Sequence, residues 1–284
     1  MKNVKVLIIG GNSFLGFHLT KYLADKFHVI STYLTNKPSE DNFVRCNLLS
    51  KPELFGLGKF DCVIQYSSII AGNNKLKKNL DMVKNAVDYS NKIQSKYIYI
   101  SSSQVNFTID SEYKKSKIES ENIIKNNSNN YIIIRPAAPY GSPIDYEFSR
   151  KQGFHVLAQF VSKSLFVPVI GNGKYLRQPV HLNNLNELIE YSIKSELKNK
   201  VFEIGGPRQI SFNEIIDIIS KSKSKMNIKT HLPKIIFKIG SRLTSFIDVE
   251  LVNAVNSDEK VDNKTWQEYF QIYLVPFEKG VFDL

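Results

Sequence analysis

The stretch MKNVKVLIIGGNSFLGFHL, residues 1–19, places an apolar run from Val4 to Ile9 directly before Gly10, Gly11 and Gly16. An amphipathic run from Phe14 to Phe27 follows. In the order strand, glycine turn, helix, the unpaired N–H groups of the first helical turn and the helix dipole can hold a pyrophosphate, and the glycines let the backbone approach it. Ser13 is out of character, because glycine is usual at that point of the turn. Its Cβ crowds an approaching phosphate, whereas its hydroxyl can cap the helix or bond a phosphate oxygen.

The same alternation continues downstream. Apolar runs HVISTYL, FDCVIQYSS, KYIYISSS and NYIIIRP are separated by helical patterns that include Leu76 to Lys92 and Glu112 to Lys125, and a further helix, Leu182 to Lys194, precedes the strand KVFEIGG. Near-continuous apolar strands between helices predict an α/β fold, a Rossmann-type doubly wound parallel sheet covered on both faces. After Pro136 the rhythm breaks at Pro139, Gly141 and Pro143. Residues 1–141 with about 176–206 are therefore read as a dinucleotide-binding domain, and 142–175 with 207–284 as a smaller C-terminal substrate-binding lobe. An amphipathic run with Leu232, Ile235, Ile236, Ile239 and Leu243 on one face is expected in that lobe.

Composition excludes several classes. No apolar stretch is long enough to span a membrane, and the N-terminus lacks the pattern of a secretory signal, so no membrane association and a cytoplasmic location are expected. Cys46 and Cys62 lie far apart in apolar surroundings and imply neither a disulfide framework nor a metal site. The net charge of +11 favours anionic partners, but the lysines are scattered and not interleaved with aromatics, so no nucleic acid is expected.

Three tyrosines precede a lysine by four residues: Tyr22 with Lys26, Tyr33 with Lys37, and Tyr113 with Lys117. In a chain this rich in both residue types such pairs arise by chance, and context must separate them. Only Tyr113 and Lys117 open a helix immediately after a strand that ends in Ser101, Ser102 and Ser103. Tyr22, in the helix after the glycine turn, and Tyr33, at the end of the second strand, are read as structural. A phenol has a pKa of about 10 in water, and a cation one helical turn away favours its ionised form.

Taken together, these motifs resemble the extended short-chain dehydrogenase/reductase family, the NAD-dependent epimerases, dehydratases and reductases of nucleotide sugars. FDCVIQYSS, NLDMVKNAVDYS, KYIYISSSQV, YKKSK, IIIRPAAPYG and VPVIGNGKYLRQPVHLNNL occur in the family's order and cover nearly the whole chain. The resemblance implies Tyr113 as general acid/base, Lys117 as the cation that holds the cofactor ribose, Ser102 as the hydroxyl that positions the substrate oxygen, and Asn79 as a structural and catalytic asparagine. It implies Gly10, Ser13, Phe14, Leu15 and Gly16 as the pyrophosphate turn. On the substrate side it implies Ser102, Ser103, Gln104 and Arg177, with Lys238 or Arg242 as a second phosphate contact. The implied partner is a nucleotide-diphosphate sugar, and a homodimer through the two long helices is expected.

Departures from the family pattern narrow the activity. Ser103 and Gln104 stand where sugar dehydratases carry an acidic pair, which argues against dehydration. Ala138 stands where many 4-epimerases have asparagine. The second strand ends in Thr35, Asn36 and Lys37 without the acid that accepts from the ribose 2′-OH, so NADP is preferred over NAD. The expected activity is reduction of a nucleotide-linked keto sugar. An NAD-dependent nucleotide-sugar epimerase is the alternative, and a non-catalytic nucleotide- or RNA-binding relative is the rival from another class.

Overall fold

The computed structural model describes residues 4–69, 74–108, 111–144, 153–237 and 257–284. Its centre is a seven-stranded sheet in the order β3, β2, β1, β4, β5, β6, β9, all pairs parallel. The strands are β1 Lys5–Ile9, β2 His28–Tyr33, β3 Phe43–Arg45, β4 Cys62–Gln65, β5 Lys96–Ile100, β6 Tyr131–Pro136 and β9 Lys200–Ile204. Strand order reverses between β2–β1 and β4–β5, which opens a crevice at the carboxyl ends of β1 and β4.

The apolar runs are continuous because both faces are covered. Val6 and Ile8 of β1 belong to one buried cluster and Leu7 and Ile9 to another, all four fully buried. Each such side chain contributes about 1.5–3 kcal/mol on leaving water. The first cluster faces helices α1 Phe14–Ala24 and α6 Leu182–Lys194, and the second faces α2 Lys51–Phe55, α3 Lys75–Lys92 and α4 Glu112–Asn127. Helix α1 stops at Ala24, short of the expected Phe27, because Asp25 caps it and Phe27 turns into the core ahead of β2. Trp266, fully buried, joins the first cluster from the C-terminal stretch, and Phe270, Ile272 and Leu274 pack against it.

A third cluster lies outside the central sheet. It gathers Val161 of α5 Gly153–Lys163, Val167 and Val169 of β7 Phe166–Ile170, and Ile215, Ile216 and Ile219 of α7 Phe212–Ser222. Strand β7 pairs in parallel with β11 Ile228–Leu232, and β8 Leu176–Arg177 pairs antiparallel with β10 Ile210–Ser211. The expected amphipathic run from Leu232 is corrected at its start: Leu232 ends β11, and Pro233 separates it from a helical turn at 234–237, where Ile235 and Ile236 are exposed. Ile239 and Leu243 lie outside the described residues. Cys46 and Cys62 are free and buried, and burial pushes the Cys62 thiol up to about 12.

One buried ionic network ties the end of β5 to its neighbours. Arg135 on β6 donates to both oxygens of Glu121 on α4, at 2.9 and 2.6 Å, and to Glu203 on β9 at 3.1 Å. Ser101, at the end of β5, donates to Glu121 at 2.7 Å. Burial alone would raise the Glu121 pKa, but the bonds from Arg135 and Ser101 and the surrounding cations outweigh it and hold the group below the ordinary carboxylate value. Replacing Arg135 by Met should destabilise the chain by up to about 3–5 kcal/mol in urea unfolding at neutral pH, because the buried Glu121 carboxylate then keeps only the Ser101 hydroxyl and, at 3.4 Å, the Lys125 ammonium. Since the folded Glu121 pKa is depressed, its stabilising contribution is present above the unfolded value and lost as pH falls through the folded one. The gap between wild type and variant should therefore narrow in acid, and a gap independent of pH would contradict this assignment.

Candidate active site

Ser13 caps α1. Its backbone is extended, its Oγ accepts from Gly16 N at 3.2 Å, and the same hydroxyl donates to Gly10 O at 2.8 Å. The hydroxyl thus closes the turn on both sides. Gly10 has φ +83, and a Cβ there would meet Ser67 N at 2.8 Å; a Cβ at Gly16 would meet Gly10 O at 2.3 Å. These two positions require glycine and Ser13 does not. Thr32 Oγ1 accepts from Gly10 N at 3.1 Å and so fixes the turn to β2. Phe14 and Leu15 open α1, where first-turn amides point out of the helix start. At the far lip Asn12 Nδ2 donates to Asn36 O at 3.4 Å, which sets the exposed Asn36 and Lys37 beside the glycine turn. This concave turn at a capped helix start fits a dinucleotide pyrophosphate.

Beside it, at the end of β5, the catalytic candidates converge. Lys117 is 3% exposed; its Nζ donates to Ile100 O at 2.9 Å and to Tyr99 Oη at 3.2 Å, and lies 5.7 Å from the Tyr113 ring centre. Burial pulls the Lys117 pKa down, while Tyr113 and Glu121 push it back. Tyr113 is half-buried in the first turn of α4, whose start is fixed by Ser111 Oγ accepting from Lys114 N at 3.0 Å. Ser102 caps the 3-10 turn Ser103–Asn106: its Oγ accepts from Gln104 N at 3.2 Å and keeps its own proton for donation. A small cleft lined by Asn79, Glu112, Tyr113 and Ser116 opens next to the phenol.

The remaining candidates divide. Asn79 is buried with both ends of its amide on Ile69, accepting from its N at 2.7 Å and donating to its O at 2.8 Å, so it pins the loop after β4. Arg177, on β8, is half-buried over the rings of Tyr175 and Phe107 and donates to Leu176 O and Ser257 O at 2.6 and 2.9 Å. Burial lowers its pKa. Ser103 is 2% exposed and donates to Glu259 at 2.5 Å, so its hydroxyl is directed inward, whereas Gln104 is half-buried. Lys238 and Arg242 lie outside the described residues. Tyr22 and Lys26 are structural: both bond Glu190 of α6, at 2.7 and 2.6 Å. Sequence reasoning missed Tyr99 and Glu259. Tyr99 is hidden in an apolar strand, and nothing near Glu259 in sequence announces a site.

Among the described residues no helix is long and apolar enough to cross a membrane and no cluster of metal ligands occurs. The model of the NAD dependent epimerase/dehydratase family matches residues 6–205. A dTDP-D-glucose 4,6-dehydratase of Dictyostelium discoideum is 27% identical over 192 residues, 58% of this chain and 42% of the relative, so the match spans less than half of that protein. Among solved structures, dTDP-glucose 4,6-dehydratase from Bacillus anthracis in complex with NAD superposes with a TM-score of 0.79 at 14% identity, covering 99% of this chain and 94% of that one. UDP-glucose 4-epimerase from Thermotoga maritima with UDP-glucose gives 0.78 at 17% identity, covering 98% and 96%. These two likenesses establish the shared fold.

If the Ser13 hydroxyl acts as the cap, Ser13→Ala should cost about 1 kcal/mol in chemical unfolding while Ser13→Gly costs only a few tenths. Equal stability of wild type and Ser13→Ala would remove the capping role.

Proposed function

The chain belongs to the NAD dependent epimerase/dehydratase family, and we propose that it reduces a keto group of a nucleotide-linked sugar by hydride transfer, with Tyr113 as the proton donor. The observation that carries the reading is the buried Lys117 ammonium beside Tyr113 and Ser102, next to a capped glycine turn. Gly10, Gly16 and the start of α1 hold the dinucleotide pyrophosphate, and Lys117 holds the ribose. A nicotinamide cofactor, when bound, supplies the hydride.

The chain's own residues do the rest. Ser102 donates its free proton to the substrate oxygen and fixes it beside the phenol. Tyr113 gives its proton to that oxygen as charge develops, and the Lys117 cation stabilises the phenolate left behind. Arg177 holds the diphosphate through charge-assisted bonds. Asn79 acts at one remove, by holding the loop that follows β4. Lys37 meets a ribose 2′-phosphate, which makes NADP the preferred cofactor.

A second reading, the epimerase, uses the same residues twice with a retained NAD, and the similarity to an epimerase fold favours it. The two part on one point: the reductase consumes reduced cofactor with each turnover, whereas the epimerase purifies with cofactor and consumes none.

Tyr113→Phe should lower turnover by about 10²-fold or more while cofactor affinity stays near wild type, because only the proton donor is lost. Turnover within a few fold of wild type would defeat the mechanism. In calorimetry NADPH should bind about tenfold tighter than NADH, roughly 1.4 kcal/mol, and Lys37→Ala should erase the difference. Equal affinities in the wild type would defeat the cofactor preference and strengthen the epimerase reading.

A further inference from the structure

The carboxyl group of Glu259 lies where three segments of the site meet. It is 3% exposed. Its Oε1 accepts from Ser103 Oγ at 2.5 Å and its Oε2 from Gln178 N at 3.2 Å, and the Ala138 amide faces it as well. Its own backbone is held on both sides, Glu259 N donating to Leu176 O at 3.0 Å and Gln209 Nε2 donating to Glu259 O at 2.6 Å. Ala138 takes a left-handed backbone, φ +30, in the turn after β6.

This arrangement is costly. Burial pushes the Glu259 pKa up against the hydrogen bonds from Ser103 and Gln178 and the charge of Arg177, and a buried carboxyl is a poor way to add stability alone. Departures of this kind gather at functional sites. The neighbours are telling: Ser103 directly follows Ser102, and Gln178 directly follows Arg177. One carboxyl group therefore connects the turn that presents the oxygen-holding serine to the strand that presents the arginine.

We propose that Glu259 is a positioning residue: it fixes Ser102 relative to Arg177, and so sets the register in which a substrate held by its diphosphate presents its reacting carbon to Tyr113. The inference rests on the nucleotide-sugar reading above. Its magnitude follows from geometry, since a displacement of about 1 Å at a reacting centre costs on the order of 10²-fold in rate.

The shape of the bridge selects the variants. Glu259→Gln keeps both contacts, its oxygen accepting from Gln178 N while its amide donates to Ser103 Oγ, whose hydroxyl turns about. Glu259→Asp is one methylene too short to reach both partners, and Glu259→Ala reaches neither.

The test runs the proposed reaction in reverse, hydride passing from the sugar alcohol to the oxidised cofactor and the proton to Tyr113: it uses the full chain loaded with NAD or NADP and a panel of UDP-, dTDP-, GDP- and ADP-linked hexoses, following the absorbance of reduced nicotinamide per cofactor-loaded site. Glu259→Ala and Glu259→Asp should slow cofactor reduction by about tenfold to 10²-fold with KM within about threefold of wild type, and Glu259→Gln should recover most of the loss. Counting per loaded site removes any loss of folded protein, which thermal unfolding reports separately. A wild-type rate in Glu259→Ala, a loss confined to KM, or a loss that Glu259→Gln does not recover would overturn the positioning role alone. Reduction by no member of the panel in the wild type would overturn the nucleotide-sugar reading, and this inference with it.

Discussion

A lysine ammonium taken out of water has to be met by acceptors, and the burial of Lys117 organises the centre of this fold around that need. Ile100 O, at the end of β5, supplies one acceptor, and Tyr99 Oη supplies another from the preceding position. The helix bearing Lys117 must then start close to the end of β5, which the Ser111 cap and the turn Ser103–Asn106 ensure. Tyr113 is carried to the mouth of the site as a consequence, one helical turn before the cation.

Around this cation the network of Glu121, Arg135, Glu203 and Ser101 performs a mechanical task. It joins β6, β9 and α4 to the strand end that precedes Ser102. Glu121 also counters the burial of Lys117 electrostatically. Stability and site geometry are thus coupled: the same carboxylate keeps helix and sheet together and offsets part of the effect of burial on the lysine. The glycine turn is built on a different footing, from the space that Gly10 and Gly16 leave and from a serine that closes the loop on itself.

Much of this was legible in the sequence. Six of the seven central strands are visible as apolar runs, because a strand covered on both faces is apolar at most positions, and α6 has the predicted bounds Leu182–Lys194. Strand β3, three residues long, leaves no such trace. The pairing of β7 with β11 joins segments 62 positions apart by register, a relation that periodicity cannot express. At the site, Ser102, Tyr113 and Lys117 stood out through their local order, whereas Glu259 reaches Ser103 across 156 positions and emerges only when the chain is folded. Ser103 was read as facing substrate, and it is Glu259 that draws its hydroxyl inward.

In the mechanism proposed above, the buried Lys117 ammonium serves cofactor and phenol together. The most direct measurement is calorimetry of Lys117→Met with the dinucleotide that the wild type binds more tightly, alongside turnover of the same variant. Met fills the lysine's space without its charge. Affinity should weaken at least about tenfold, roughly 1.4 kcal/mol, together with loss of turnover. Wild-type affinity in a folded variant would contradict that role, because Lys117 would then hold strand and helix together without touching the chemistry.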